Sequence, residues 1–260
     1  MSRPVYIMRG NSAKVIDMRA DIGDTVAMFG TDYHFHYSKN IKINGYITPD
    51  PSNVAVNGID LGIIPTVNTK FELYIYNTGT NMGNGNENIG VKIHSGSPYS
   101  DSMDFRFFWA DVPGLYFDMY NARVNTTAYS NSNYTNRIMK VECGRDLNKN
   151  AYMKLSRYSD NTQIYYGTSH CSASDNFVWD RGTLCLEPYH SNNYYMKWYL
   201  IRIYEGDEMI MELYPYNKPE YGWCWKDNIS KNEFYTDSQA SWLYTETEET
   251  IVIDPKYHID

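Results

Sequence analysis

The chain has 260 residues, 42% of them hydrophobic, a mean hydropathy of −0.57 and a net charge of −8, enough to bury a sizeable core in one large domain or in a domain with an appendage. No basic run is present to neutralise phosphates, so nucleic acid and anionic membrane surfaces are disfavoured. No apolar run approaches the roughly 18 residues of a membrane span, so no membrane insertion is expected. The aromatic make-up is lopsided, with 26 Tyr and 6 Trp against 9 Phe. Tyrosine joins a flat apolar body to a hydroxyl, which suits half-buried strand faces and wet interfaces, so the composition favours sheet and some exposed aromatic surface.

The N-terminus, Met1 to Gly10, carries Arg3 and Arg9 where a signal peptide would need an apolar core, so no secretory leader is expected. Cys143, Cys171, Cys185 and Cys224 lack C-x-x-C spacing, which excludes zinc-knuckle and thioredoxin readings. Reduced thiols in a chain made in a cytoplasm follow.

Along the chain, Val5 to Met8 and Lys14 to Met18 are set to pair across Gly10-Asn11, and Thr31 to Tyr37 and Ile41 to Ile43 could add strands. Residues 1–45 read as an N-terminal β arm or small docking module, with extra strands of the main body as the alternative. From residue 46 to residue 260 period-two alternation dominates. Phe71, Leu73 and Ile75 share a face, as do Ile89, Val91 and Ile93, then Phe105, Phe107 and Trp109, then Leu115, Phe117 and Met119. Met153 and Leu155 continue the pattern. In the clearest pair, Tyr199, Ile201 and Ile203 face one way, as do Met209, Met211 and Leu213, with a tight hairpin at Glu205-Gly206-Asp207-Glu208. Turn-formers separate these runs, and no stretch of a dozen residues carries a helical stripe. The fold class is all-β, a sandwich or barrel of short antiparallel strands.

Two stretches carry a family resemblance. Asn44-Gly-Tyr-Ile-Thr48, Gly58-Ile-Asp-Leu-Gly-Ile-Ile-Pro-Thr66 and Thr69-Lys-Phe-Glu-Leu73 resemble the opening of laminin G-like domains in phage and bacterial surface proteins. Lys197 to Pro215, followed by Tyr221-Gly-Trp-Cys-Trp-Lys-Asp227 and Glu233-Phe-Tyr235, resembles the closing hairpin and terminal segment of that family. The resemblance implies a two-sheet antiparallel sandwich of the concanavalin A-like (jelly-roll) type over residues 46–260, often found in virion and adhesin proteins. It implies neither a ligand nor catalysis, since the fold hosts many functions. The expectation is a non-enzymatic structural component of a bacteriophage particle: a head fibre, capsid decoration or tail-associated protein. Its partners would be other virion proteins, further copies of itself and surface glycans. A soluble bacterial carbohydrate-binding module is the alternative, and a glycoside hydrolase the less favoured third.

No catalytic residue, metal ligand or cofactor is expected. A hydrolase of this fold needs an alternating E-x-D-x-(x)-E run on one strand; the nearest match, Glu205 to Glu212, straddles a hairpin turn. His34-Phe-His36 has a spacing a metal could use, and Asp101, Asp104, Asp111 and Asp118 could serve calcium, but surface histidines and turn aspartates are the simpler reading. His170 and Cys171, adjacent in sequence, should point apart. Aromatic stacking on sugar C–H faces is the one ligand chemistry the composition supports. The candidate carbohydrate-binding or interface residues are Trp179, Tyr189, Tyr194, Tyr195, Trp223 and Trp225, in Asp175 to Arg181, Tyr189 to Tyr195 and Tyr214 to Trp225.

Overall fold

A computed structural model of the chain describes residues 5–9, 12–16, 26–27, 34–37, 41–50, 59–77, 89–93, 102–108, 114–126, 137–179, 182–188, 196–235, 242–253 and 257–259, with side chains within 43–48, 50, 59–76, 115–126, 137–179, 182–186, 197–235, 242–246 and 251–252. Every regular element among the described residues is a β-strand. In chain order these are β1 Val5–Arg9, β2 Ser12–Ile16, β3 Val26–Ala27, β4 His34–Tyr37, β5 Ile41–Pro49, β6 Ile59–Asp60 and β7 Thr69–Asn77. There follow β8 Ile89–Ile93, β9 Ser102–Phe108, β10 Gly114–Tyr120, β11 Ala122–Asn125, β12 Arg137–Arg145, β13 Asn150–Arg157 and β14 Gln163–His170. The last are β15 Leu184–Pro188, β16 Met196–Glu205, β17 Glu208–Lys218, β18 Gly222–Asp227, β19 Glu233–Phe234, β20 Trp242–Ile253 and β21 Tyr257–Ile259. No described helix is long and apolar enough to cross a membrane.

The chain divides into two compact units: Met1–Ile43 with Thr250–Asp260, and Asn44–Glu249. In the first, β1 and β2 pair as a hairpin from Val5↔Ile16 to Arg9↔Ser12. A three-stranded sheet runs β21-β4-β3, with His258 opposite His36 and Val26 opposite Phe35. The side chains of His34 and His36 lie outside those described.

The second unit holds a six-stranded sheet, β11-β10-β9-β8-β15-β6, and a ten-stranded sheet whose main path is β14-β13-β12-β7-β16-β17-β18-β19, with β5 and β20 joined beside β16. The pairings along both are antiparallel. Alternation decides what each strand buries. Phe71, Leu73 and Ile75 of β7, Val141 and Cys143 of β12, and Met153 and Leu155 of β13 enter one hydrophobic cluster. Leu115, Phe117 and Met119 of β10 and Leu184 and Leu186 of β15 enter the same cluster from the six-stranded sheet. Phe71 meets Phe117 edge-on, with centroids 6.3 Å apart. Each such fully buried side chain stabilises the fold by about 1.5–3 kcal/mol of transfer free energy. The four cysteine side chains are buried thiols.

Two β-bulges correct the expected faces. Between Trp198 and Leu200 the register against β7 slips by one, Trp198 pairing with Ile75 and Leu200 with Tyr74. Tyr199 is the extra residue, so Trp198 joins Ile201 and Ile203 in the core cluster and Tyr199 does not. Between Ile203 and Tyr204 the register against β17 slips again, Ile203 pairing with Met211 and Tyr204 with Met209. Met209 therefore lies with Tyr204 on the face away from the core. Between these strands the hairpin turns at Gly206, whose φ of 61° is strained for a residue with a Cβ, and its N–H donates to Asn68 O at 3.0 Å.

Candidate functional site

The face of the ten-stranded sheet turned away from the core carries a row of charges. Cross-strand register aligns Lys154 with Glu142, Glu142 with Glu72, Glu72 with Arg202 and Arg202 with Glu212. Directly opposed carboxylates such as Glu142 and Glu72 repel, and a cation offsets this: Lys140 Nζ lies 3.2 Å from Glu72 and 3.3 Å from Glu142. Lys154 donates to Glu142 at 3.0 Å. Arg202 donates through Nη1 to Glu72 at 2.8 Å and through Nε to Glu212 at 2.6 Å. Tyr74 Oη adds a bond to Glu72 at 3.1 Å, and Asn228 Nδ2 one to Glu212 at 2.9 Å.

Three carboxylates thus face three cations, and the row passes from half-buried at Glu142 to fully buried at Glu212. Burial pulls the Arg202 guanidinium down, but Glu212 and then Glu72 outweigh it and hold it above its ordinary value. Burial, reinforced by Glu72, pushes the Tyr74 and Tyr204 hydroxyls well up. The result is a closed set of matched charges.

The β17–β19 end of the same sheet carries an aromatic patch. Lys226 Nζ sits 4.2 Å from the Tyr216 ring centroid, and Lys218 Nζ 4.5 Å from that of Tyr235. Glu233 lies between the two cations, accepting from Lys218 at 2.7 Å and from Lys226 at 3.5 Å. The Lys218 hydrogen bond holds the Glu233 carboxyl below its usual range, and Glu233 in turn raises Lys218. Tyr221 leans on Tyr235 at 5.0 Å, and Tyr235 is 41% exposed.

Local sequence builds this patch. Glu220, at φ 64°, turns the chain between β17 and β18, where Tyr221 N–H bonds back to Lys218 O at 3.2 Å. The buried Asp227 carboxylate ties the next turn, accepting from Ile229 N–H at 3.1 Å and from Ser230 N–H at 2.8 Å. These turns fix the strands that carry the rings.

The residues singled out from sequence separate. Trp179, 6% exposed, packs edge-on to Phe177 at 4.9 Å inside the core cluster, and Trp225, 0% exposed, meets Trp242 edge-on at 5.5 Å. Neither presents a ring to a ligand, because each falls on a core-facing position. Trp223 is half-buried and lies flat on Tyr244, with centroids 3.7 Å apart and planes 13° apart. Tyr189, Tyr194 and Tyr195 lie outside the described residues. The stretch from Tyr214 to Trp225 lies on strands β17 and β18 and the turn between them. Sequence reasoning named Trp223 but missed Tyr216, Tyr221, Tyr235 and Lys218. The signal available was Tyr214-Pro-Tyr-Asn-Lys218, where Tyr214, Tyr216 and Lys218 alternate onto one face.

Of the acidic candidates, Asp118 is clamped by Arg123 at 2.6 and 2.7 Å, at the rim of a surface concavity of about 400 Å³ bounded by Tyr120, Asn121 and Ala122. Asp101 and Asp111, and the side chain of Asp104, lie outside the description. Glu205 is tied to Thr66 Oγ1 at 2.5 Å and Thr69 Oγ1 at 3.0 Å. His170 is exposed while Cys171 is fully buried. No group of three His, Cys, Asp or Glu positioned to hold a metal occurs among the residues so described.

No family model matches the chain, and no curated protein or solved structure matches it.

Proposed function

We propose that this chain is a non-enzymatic binding and building protein, a concanavalin A-like two-sheet sandwich serving as a structural component of a bacteriophage particle, with the β17–β19 aromatic patch as its contact surface. The observation that carries the reading is the state of that patch: partly exposed tyrosine rings, each oriented by a lysine, beside a carboxylate that bridges the two lysines. Such a surface stacks on flat apolar faces and hydrogen-bonds the groups around them, as glycans and protein partners both require. The carboxylates of the charged row support the non-enzymatic half of the reading. Glu72 and Glu212 are each held by Arg202, whereas glycoside hydrolysis needs one carboxyl able to give up a proton and one able to attack. The resemblance of residues 44–73 and 197–235 to laminin G-like domains in phage and bacterial surface proteins supports a surface-exposed sandwich, of which a particle component is one setting.

Mass spectrometry of density-purified particles from the source culture tests the reading. Peptides of this chain at a stoichiometry matching a symmetric site are expected. Recovery only in the soluble fraction would overturn the particle and move the reading to a carbohydrate-binding module. There the full chain on a glycan array, compared with Tyr235→Ala and Tyr216→Ala, becomes decisive. Loss of signal by at least about tenfold in those variants is expected if the patch is the contact surface; unchanged signal would remove the patch from the proposal.

A further inference from the structure

The two ends of the ten-stranded sheet are built differently. At one end β19 is two residues long and carries Glu233, a short, charged edge of the kind that resists strand addition. At the other, β14 runs for eight residues, Gln163 to His170, with no Asp, Glu, Lys, Arg or Pro. It is the one strand of eight or more residues without a formal charge, since β5, β7, β12, β13, β16, β17 and β20 all carry Lys, Arg, Asp or Glu. Among the described residues β14 hydrogen-bonds only to β13. About half of its backbone N–H and C=O groups therefore point along the sheet with no strand beyond them among the described residues.

This edge is also firmly placed. Tyr165 turns inward, and its hydroxyl donates to Asn125 O at 2.6 Å. On the opposite face Tyr166 stacks on Tyr152, with centroids 6.5 Å apart, and remains 52% exposed. Ile164, Tyr165, Tyr166 and Thr168 are strong strand formers. The strand lacks the charges and proline that commonly guard an edge, and its one irregularity, the register slip that leaves Ile164 extra opposite Leu155 and Ser156, lies at its start, leaving Tyr165 to His170 regularly paired with β13.

We propose that β14 is the site where two copies of this chain join, β14 of one pairing antiparallel with β14 of the other across a two-fold axis so that the two sheets continue as one. Each copy carries a net charge of −8 and repels the other over most of its surface. Along β14 every register of self-pairing opposes only uncharged side chains. The contact is isologous, so it consumes both edges and closes at a dimer. The exposed Tyr166 ring of each copy, stacked on its own Tyr152, then lies beside the new junction. The inference stands whether or not the chain belongs to a particle, because it rests on the sheet edge and not on the patch at the other end.

Sedimentation velocity of the full chain at tens of micromolar tests it. A species of twice the 30.3 kDa chain mass is expected. Thr168→Lys and Thr168→Glu each place like charges along the junction and should each weaken self-association at least about tenfold. Mixing the two variants should restore a mixed dimer. Asn232→Lys, beside the opposite edge, should leave the dimer intact, and thermal melting checks that each variant is folded. A folded wild-type chain that sediments as a monomer overturns the proposal. So does a dimer that persists in both Thr168 variants, since the junction would then lie elsewhere.

Discussion

Replacing Arg202 by Met keeps most of the side-chain length and removes the guanidinium that binds both Glu72 and Glu212. Both carboxylates are almost wholly buried, with side-chain exposures of 4% and 0%. They lose differently. Glu72 keeps Lys140 at 3.2 Å and the Tyr74 hydroxyl at 3.1 Å, whereas Glu212 keeps a neutral side-chain amide donor, Asn228 Nδ2 at 2.9 Å. Breaking a buried ion pair from one side costs about 3–5 kcal/mol, most of it the charge left behind. For a chain of this size each kcal/mol moves Tm by about 2–4 °C, so a fall of about 6–20 °C is expected. Adding Glu212→Met to the Arg202→Met variant removes the stranded charge and should recover about 2 kcal/mol, because a buried ion pair is worth little over an apolar replacement of similar volume. Urea unfolding at pH 7 of wild type, single and double variants gives the three free energies. A single variant within about 1 kcal/mol of wild type, or a double variant no more stable than the single, would refute the description of the row as a closed set of mutually dependent charges.

Other perturbations separate core from rim. Trp225→Ala should cost about 3–5 kcal/mol in urea unfolding, since its side chain is fully buried, while Trp223→Ala, half-buried against Tyr244, should cost clearly less. Gly167→Ala places a methyl against the Tyr165 hydroxyl and 3.0 Å from Val124 Cγ1; a loss of about 1–3 kcal/mol is expected, and double substitution with Tyr165→Phe should be less than additive. Stability should fall in alkali. Burial raises the Cys224 thiol from 9.0 to about 11 and pushes Tyr152, Tyr74 and Tyr204 up from 10.0. The folded chain therefore holds protons that the unfolded chain releases, so this stability is complete below about pH 9 and declines as pH rises toward 11. Chemical unfolding at pH 7, 9 and 10.5 reads the decline, and Cys224→Ala should flatten its first part. Thiol titration should find no fast-reacting cysteine in the native chain at pH 7 and four after unfolding, since all four are buried.

The strands were legible where a period of two runs uninterrupted. Phe71, Leu73 and Ile75, and Leu115, Phe117 and Met119, bury the face that alternation assigns them. The Gly206 turn was legible for a separate reason, since a glycine between short polar residues admits the positive φ that the hairpin needs. Alternation fails at a bulge, because one extra residue inverts the face of everything before it. That is why Tyr199 and Met209 were assigned to the core in place of Trp198. Nothing in the sequence around Tyr199 marks the slip; it is set by pairing with β7, more than a hundred residues away. The partnership of β21 with β4 was equally out of reach, since it joins the two ends of the chain.

The burial of Trp179 and Trp225, two of the residues singled out from sequence, has one physical cause. Tryptophan was read as exposed because it lies in polar stretches such as Asp175 to Arg181. Burial, however, is decided by strand face and not by sequence neighbours. Trp225 sits opposite Phe234 on the core side of β18, while Lys226, one residue on, faces Glu233 on the other side. Tyrosine behaves differently here because its hydroxyl tolerates the rim, so Tyr216, Tyr221 and Tyr235 stay at least partly accessible at this end of the sheet, each within reach of a lysine or of another ring. The same division holds at the far end of the sheet, where Tyr165 turns in and Tyr166 turns out from consecutive positions of β14. The tyrosine excess thus supplies exposed or half-buried rings at both ends of one sheet, and the charges separate the two uses proposed for them. Lysines and Glu233 fix the rings at β17–β19 as a surface that another molecule must match, whereas the uncharged β14 offers its backbone to a strand like itself.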